Sequence, residues 1–340
     1  MTNTATPLAT ICDLYNLTPA QLRPMPGGHF SEVYKFDDRG VTYVLRITPP
    51  NAEIDLAAMQ SIQEWLAFLA SRGGPVPRPL RSRDGNLIEV VPAGDQVYLA
   101  GAAEKAPGVL AEGMAPQEWS DELFQALGRT VGQCHQIAQL YHPPAGLQRP
   151  EWDSLQNCFN PLNYLAAAAP WLLAKHSGVL KEIQGLPNDP SCYGLTHMDL
   201  HFGNFFVESA SQRITLFDFD DCAYGWYIMD IAMLLFDVLV VYDQADRLQF
   251  GRRFLTNLLK GYLPHMPDRI FWVMQLPLFL KLLEISMFMT LYSAEFMDDG
   301  DDWVAKFMRG RNERIQQDLP YANLDFEVIY RQSAALIRSI

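Results

Sequence analysis

Closely spaced cysteine pairs are missing from this chain. The five cysteines, Cys12, Cys134, Cys158, Cys192 and Cys222, are odd in number and widely spread, with no CxxC. A disulfide framework or a zinc site is therefore not expected, and a reducing cytoplasm is the natural home. Positive charge is scarce as well. Lys and Arg number 26 against 39 Asp and Glu, a formal charge of −13, which excludes a general nucleic-acid binder because that role needs a basic footprint. The acidity suits a cationic substrate, but solubility alone accounts for it at least as well. The N-terminus MTNTATPLAT has no basic stretch followed by an apolar core, so no secretory leader is expected. Uninterrupted apolar runs of spanning length are lacking too. Asp237 breaks Ile231–Tyr242, and Lys281 and Glu284 break Leu276–Ala294, so both read as buried helices and no membrane partner is expected. No repeat or heptad pattern argues for a coiled-coil oligomer, while a homodimer is left open. What remains, at 340 residues with 49% hydrophobic and 19% charged, is a soluble protein long enough for two domains or one bilobal domain.

The chain changes character near residue 107. Before it come short β-like runs, Glu32–Phe36, Thr42–Ile47, Leu87–Val91 and Gln96–Ala100, rich in Val, Tyr and Ile and punctuated by Gly, Pro and Asp. One helix interrupts them, from about Ile54 to Ala70, with Leu56, Met59, Ile62, Leu66 and Leu69 as its apolar stripe; GGPVPRP ends it. After residue 107 the pattern is mainly helical. Leu123, Leu127, Val131, Cys134, Ala138 and Tyr141 recur at helical spacing, and further helices are expected over 227–243, 246–263, 268–296 and 322–339. A β-like island lies at Phe205–Phe219. The expected fold class is α+β and bilobal: residues 1–106 form an N-lobe of antiparallel sheet with one helix, and 107–340 a helical C-lobe.

The chemistry is concentrated in LTHMDLHFGNFFVESASQRITLFDFDD, residues 195–221. His197-x-Asp199 is followed by Asn204 at the spacing of a kinase catalytic loop, and a hairpin-like segment leads to Phe217-Asp218-Phe219-Asp220. Phosphoryl transfer asks a protein for in-line positioning and neutralisation of triphosphate charge rather than covalent work. A carboxylate must accept the hydroxyl proton, which falls to Asp199. An amide oxygen and a carboxylate must hold Mg2+, which falls to Asn204 and Asp218, with Asp220 as a second or water-mediated ligand. Taken alone, His197, Asp199 and Asn204 would be ordinary turn residues; it is the joint register that carries the reading. His201, without a second ligand at metal spacing, is expected to bond within the loop.

HMDLHFGNFF followed by FDFDDCAYGWYIMDIAMLLFD resembles the aminoglycoside phosphotransferase and choline kinase superfamily, whose fold is protein-kinase-like, and the resemblance covers nearly the whole chain. It implies an ATP- and Mg2+-dependent kinase in which Asp199 is the catalytic base. Asn204 and Asp218 would be metal ligands, His197 a member of the catalytic loop, and Asp230 the acid that opens the next helix and braces that loop. Asp230 also reads as a simple helix-start carboxylate favoured by the dipole, and both can hold. In the N-lobe, PMPGGHFSEVYKF would be the hairpin over the triphosphate, with Gly27 and Gly28 allowing close backbone approach and Ser31 within reach of phosphate. TYVLRIT carries Arg46 where protein kinases place a phosphate-binding lysine; a charge inside an apolar strand is costly unless it has a partner. The carboxylate expected to pair with it falls at Ile62, a departure from the pattern, with Glu64, Glu53 or Asp55 as substitutes. QVYLAGAAEKAPG resembles the strand and adenine-binding hinge, with Ala103, Glu104 and Lys105 at the hinge.

The acceptor is a small-molecule alcohol on this reading: an amino alcohol, a sugar or an aminoglycoside-like compound. Glu284 and the acidic run MDDGDDW, with Glu295, Asp298, Asp299, Asp301, Asp302 and Trp303, would suit an ammonium group, although solvated acidic loops are common. Tyr224, Trp226, Tyr227, Phe288 and Tyr292 read as core. Two alternatives share the scaffold: a serine/threonine protein kinase, and a nucleotide-binding pseudokinase.

Overall fold

The computed structural model describes residues 7–26, 31–49, 55–115, 118–154, 156–166, 168–242, 244–267, 269–293 and 302–335. The chain divides into two compact units. The first runs to Gly108 and takes in Tyr141–Arg149 and Thr215–Asp220; the second holds Val109–Leu140, Pro150–Ile214 and the chain from Asp221 onward.

Alternation of apolar and polar residues builds the first unit. Helix α1 (Leu8–Leu14) precedes β1 (Arg23–Pro24), β2 (Glu32–Asp38) and β3 (Val41–Thr48); α2 (Leu56–Ser71) follows, then β4 (Pro79–Leu80), β5 (Glu89–Ala93) and β6 (Gln96–Glu104). The strands form one sheet in the order β1-β2-β3-β6-β4, with β5 also paired to β6. On β3, Leu45 and Ile47 are buried in a core with Ile11, Cys12, Phe36 and Ala100, and Arg46, one residue out of phase, points to the opposite face. Helix α2 is capped by Asp55, whose carboxylate accepts from the Ala57 N–H, and it buries Ile62, Trp65 and Leu69. The sequence reading lacked α1. It has seven residues and no side-chain cap, and burial of Ile11 and Cys12 holds it rather than any local helix signal.

The second unit begins with β7 (Val109–Leu110) and α3 (Asp121–Ala138). It continues through α4 (Leu162–Leu165), α5 (Pro170–Gln184), β8 (Tyr193–Thr196), β9 (Phe205–Glu208), β10 (Arg213–Leu216, which crosses into the first unit) and β11 (Ala223–Trp226). Helices α6 (Ile228–Val241), α7 (Arg247–Tyr262), α8 (Ile270–Ser293), α9 (Asp302–Met308), α10 (Arg311–Gln316) and α11 (Phe326–Ala334) complete it. Helix α8 is long and apolar enough to cross a membrane by length and composition, yet Val273, Leu276, Phe279, Leu280 and Leu283 are buried, as befits a core helix. The α+β expectation holds, with an antiparallel sheet in the first unit and helices dominating the second.

Helices α3 and α7 touch backbone to backbone. A Cβ on Gly128 would lie 1.9 Å from the Leu258 carbonyl oxygen, and one on Gly261 2.0 Å from that of Gln125. Gly128→Ala is therefore expected to push the helices apart and lower stability by about 1–3 kcal/mol, read as a fall in the denaturation midpoint. An unchanged midpoint would show that the helices separate without cost.

Candidate active site

Strands β8 and β11 set up the motif. They pair antiparallel, Thr196 against Ala223 and Tyr193 against Trp226, so the loop leaving β8 and the helix leaving β11 start from one ribbon. Asp230, in the first turn of α6, accepts the backbone N–H of His197 on Oδ2 and that of Met198 on Oδ1, both at 3.0 Å. The loop needs this hold because Met198, fully buried, has a φ of 69°, a region that costs a side-chain-bearing residue about 1–3 kcal/mol. His135 of α3 donates from Nε2 to Asp230 Oδ2 at 2.9 Å and takes the Tyr262 hydroxyl on Nδ1 at 3.0 Å, an assignment made from the bonding pattern. Burial pushes the Asp230 carboxyl up, but the His135 bond and the facing histidines outweigh it and hold the group below its ordinary value. Asp230 is thus both a brace and a helix-start carboxylate.

Asp199 follows directly. Its Oδ2 accepts from Asn204 Nδ2 at 3.0 Å and lies 3.5 Å from His201 Nε2, while Oδ1 accepts from the Cys158 thiol at 3.3 Å. The same Asn204 amide nitrogen donates to the Asp199 carbonyl at 2.8 Å. His201 takes the Gly203 N–H on Nδ1, which places its neutral-ring proton on Nε2, toward Asp199. Burial alone would raise the Asp199 pKa; the His201 bond, the nearby histidines and the thiol bring it below the ordinary value. The His201 pKa moves the other way: burial lowers it, but the Asp199 carboxylate more than restores it. Asp237 of α6 accepts the Phe202 N–H at 3.0 Å and is raised by burial. His197 is buried, 2% exposed, which suits a loop-holding ring.

The first unit holds the remaining candidates. Arg46 donates from Nη2 to Asp220 Oδ2 at 3.0 Å and from Nε to Ser31 Oγ at 3.0 Å, and Ser31 bonds Thr48 Oγ1 at 2.9 Å. Asp220 therefore supplies a carboxylate to Arg46, while Ile62 is buried and Asp55 caps α2. Both partners are more than a third exposed, so the pair adds little stability and serves orientation. Arg149 donates to the Asp220 carbonyl at 2.8 Å. Asp218 is exposed and sits at a φ of 62°. Ala103 pairs with Val44, while the N–H groups of Glu104 and Lys105 donate to the carbonyls of Arg78 and Thr42. Those two amides are used by the fold rather than offered to a base. Gly27, Gly28, Glu53, Glu295, Asp298, Asp299 and Asp301 lie outside the described residues, as does the Asp302 side chain. Glu284, proposed for an ammonium group, is buried against Arg311 at 2.7 Å and Lys281 at 3.6 Å, so its charge is already answered inside the fold. Trp226, Tyr227 and Phe288 are core, whereas Tyr292, expected in the core, is 58% exposed.

Three partners escaped the sequence reading. His135 and Asp237 each carried a signal, a titratable residue on an apolar helical stripe, which is costly to bury without a partner. Cys158 carried none, because only the fold brings it to Asp199.

Comparison with known proteins fixes the lineage. The model of the phosphotransferase enzyme family matches residues 21–272. The chain belongs to that family. It is 30% identical over 329 residues to an amicoumacin kinase of Bacillus subtilis (strain 168), with 95% of each chain covered. A solved amicoumacin kinase in complex with AMP-PNP, Ca2+ and Ami superposes with a TM-score of 0.79 at 28% identity, covering 93% of this chain and 94% of the other. A microcompartment-associated aminopropanol kinase gives a TM-score of 0.66 at 21% identity, covering 91% and 97%, and shares the fold. The protein is a phosphotransferase with a protein-kinase-like fold, as the motif order implied.

Proposed function

We propose that this phosphotransferase moves the γ-phosphoryl group of Mg-ATP onto a hydroxyl of a small molecule, an amino alcohol, a sugar or an aminoglycoside-like compound, with an amicoumacin-type compound as the first acceptor to try. The observation that carries this is the Asp199 constellation: a carboxylate held below its ordinary pKa, hence ionised at neutral pH, with both oxygens oriented by neighbouring donors. Such a group is equipped to accept the proton of an attacking alcohol. The near full-length likeness to an amicoumacin kinase supports a small-molecule acceptor over a protein one. A cytoplasmic location belongs to the same reading.

The residues fit a magnesium-bound nucleotide. Among the described residues, no group of three His, Cys, Asp or Glu side chains is gathered to hold a metal by itself, and magnesium in such enzymes takes one or two protein oxygens and fills its octahedron with phosphates and water. Asn204 spends its amide nitrogen on Asp199, which leaves its oxygen to serve as a hard ligand, and Asp218 would supply the carboxylate. A bound Mg-ATP provides the transferable phosphoryl group and the countercharge for it. The chain's own part is to orient Asp199, to hold the loop through Asp230, and to present the Arg46 guanidinium, fixed by Ser31 and Asp220, to phosphate oxygens. Ser31 and, outside the described residues, Gly27 and Gly28 would line the triphosphate. Adenine would read the main chain around Ala103 and beyond Lys105, because the Glu104 and Lys105 amides are taken.

ADP release from Mg-ATP, measured with amicoumacin, amino alcohols, sugars, aminoglycosides and generic protein substrates, tests the proposal. Release that depends on a small-molecule acceptor supports it; release with protein alone would move the reading to a protein kinase. Asp218→Ala is expected to raise the magnesium concentration needed for half-maximal ATP binding by at least tenfold. An unchanged magnesium titration would assign the metal to other residues.

A further inference from the structure

The thiol beside Asp199 sits on a turn built to hold it there. In residues 157–160, Asn157 Oδ1 accepts the N–H of Phe159 at 2.9 Å and of Asn160 at 3.0 Å. The backbones of Asn157 and Asn160 bond each other in both directions. Asn157 Nδ2 donates to the Trp152 carbonyl and Asn160 Nδ2 to that of Asp153, each at 2.7 Å. Ser286 of α8 donates to the Phe159 carbonyl at 3.1 Å, and His176 of α5 also bonds the Phe159 backbone. Asn157, Phe159 and Asn160 are all buried; Cys158 alone of the four is half-buried, with its sulfur 3.3 Å from Asp199 Oδ1.

We propose that Cys158 is a positioning residue for the phosphoryl-transfer reaction, its thiol fixing the rotation of the Asp199 carboxylate so that the base presents a constant lone pair to the acceptor hydroxyl. This rests on Asp199 being the general base. Oδ2 is already set by Asn204 and His201, and the thiol is the hydrogen-bond donor on Oδ1. A thiol suits the task because it is a weak donor, orienting the carboxylate while withdrawing little of its basicity. It also keeps its proton: burial first, then the Asp199 charge, pushes the Cys158 pKa well up. The titratable groups facing this pair are His197 and His201 on the loop, with Asp221 toward the thiol. Asp237 of α6 and Glu112, which faces His201 and Asp237, lie around the loop.

Cys158→Ala and Cys158→Ser are to be compared with wild type for kcat and KM for Mg-ATP in ADP release, with Asp199→Ala alongside. Cys158→Ala is expected to lose about threefold to tenfold in kcat, the worth of one hydrogen bond, with KM for Mg-ATP unchanged. Cys158→Ser keeps a donor toward Oδ1 and should recover most of that loss. A merely structural cysteine would neither confine the loss to kcat nor be rescued by a donor of similar size. Infrared difference spectra of wild type minus Cys158→Ala give a readout free of turnover: the S–H band should shift in Asp199→Ala. A band indifferent to Asp199, or a folded Cys158→Ala with wild-type kcat, overturns the proposal. Full turnover in Asp199→Ala would instead overturn the base assignment on which it rests.

Discussion

Asp199→Asn is expected to lose phosphoryl transfer by roughly 10²–10⁴-fold in kcat while Mg-ATP still binds. The amide keeps the size of the side chain and an oxygen to accept from Cys158 or Asn204, but its nitrogen cannot take a proton from an alcohol. Calorimetric titration of ATP beside a turnover assay separates the two effects. Loss of binding together with turnover would mean that the residue supports the nucleotide rather than the chemistry. The pH profile adds a sign. The Asp199 pKa lies below the usual carboxylate range, burial being outweighed by the His201 bond and the histidine charges. With Asp199 as proton acceptor, wild-type turnover should fall only as pH drops below that range.

The second large effect concerns Asp230. Removing its carboxylate in Asp230→Ala leaves the N–H groups of His197 and Met198 and the Nε2 of His135 without their shared acceptor, all in a buried setting. Breaking such a centre costs about 3–5 kcal/mol, and it also releases the positive-φ conformation at Met198 on which the direction of Asp199 depends. We therefore expect a large fall in the denaturation midpoint, together with turnover reduced well beyond the fraction unfolded. A variant that is destabilised yet fully active per folded molecule would reduce Asp230 to packing. Linkage gives an independent check. The Asp230 pKa is depressed in the folded state, so its stabilisation is present above the unfolded value, near 4. It drains away as pH falls through the folded value. The difference in stability between wild type and variant should shrink in acid.

Much of this was legible before the fold. Runs rich in Val, Tyr and Ile gave β2, β3, β5 and β6, stripes at helical spacing gave α2 and α3, and long apolar runs gave α6 and α8; the two-residue strands β1 and β4 are too short to leave a pattern. The spacing of His197, Asp199, Asn204 and Asp218 was visible because all four lie within one short segment. Partners distant in sequence were not visible. His135 meets Asp230 across 95 residues, Arg46 meets Asp220 across 174, and Cys158 meets Asp199 across 41. Nothing local at either end of those pairs marks the other. Asp220 read as a metal ligand from its place in DFDD, whereas its carboxylate faces a guanidinium that only the β3 register presents. Helix α5 was missed because it buries only Leu172, His176 and Ile183, too sparse a stripe to stand out from a polar segment.

The most direct test of the central claim is mass analysis of the acceptor. Wild-type protein, Mg-ATP and amicoumacin, with amino alcohols, sugars and aminoglycosides in parallel, should yield an acceptor heavier by a phosphoryl group, in step with ADP, and Asp199→Asn should yield none. A phosphoryl group found only on protein side chains, or product formed equally by Asp199→Asn, would contradict the account.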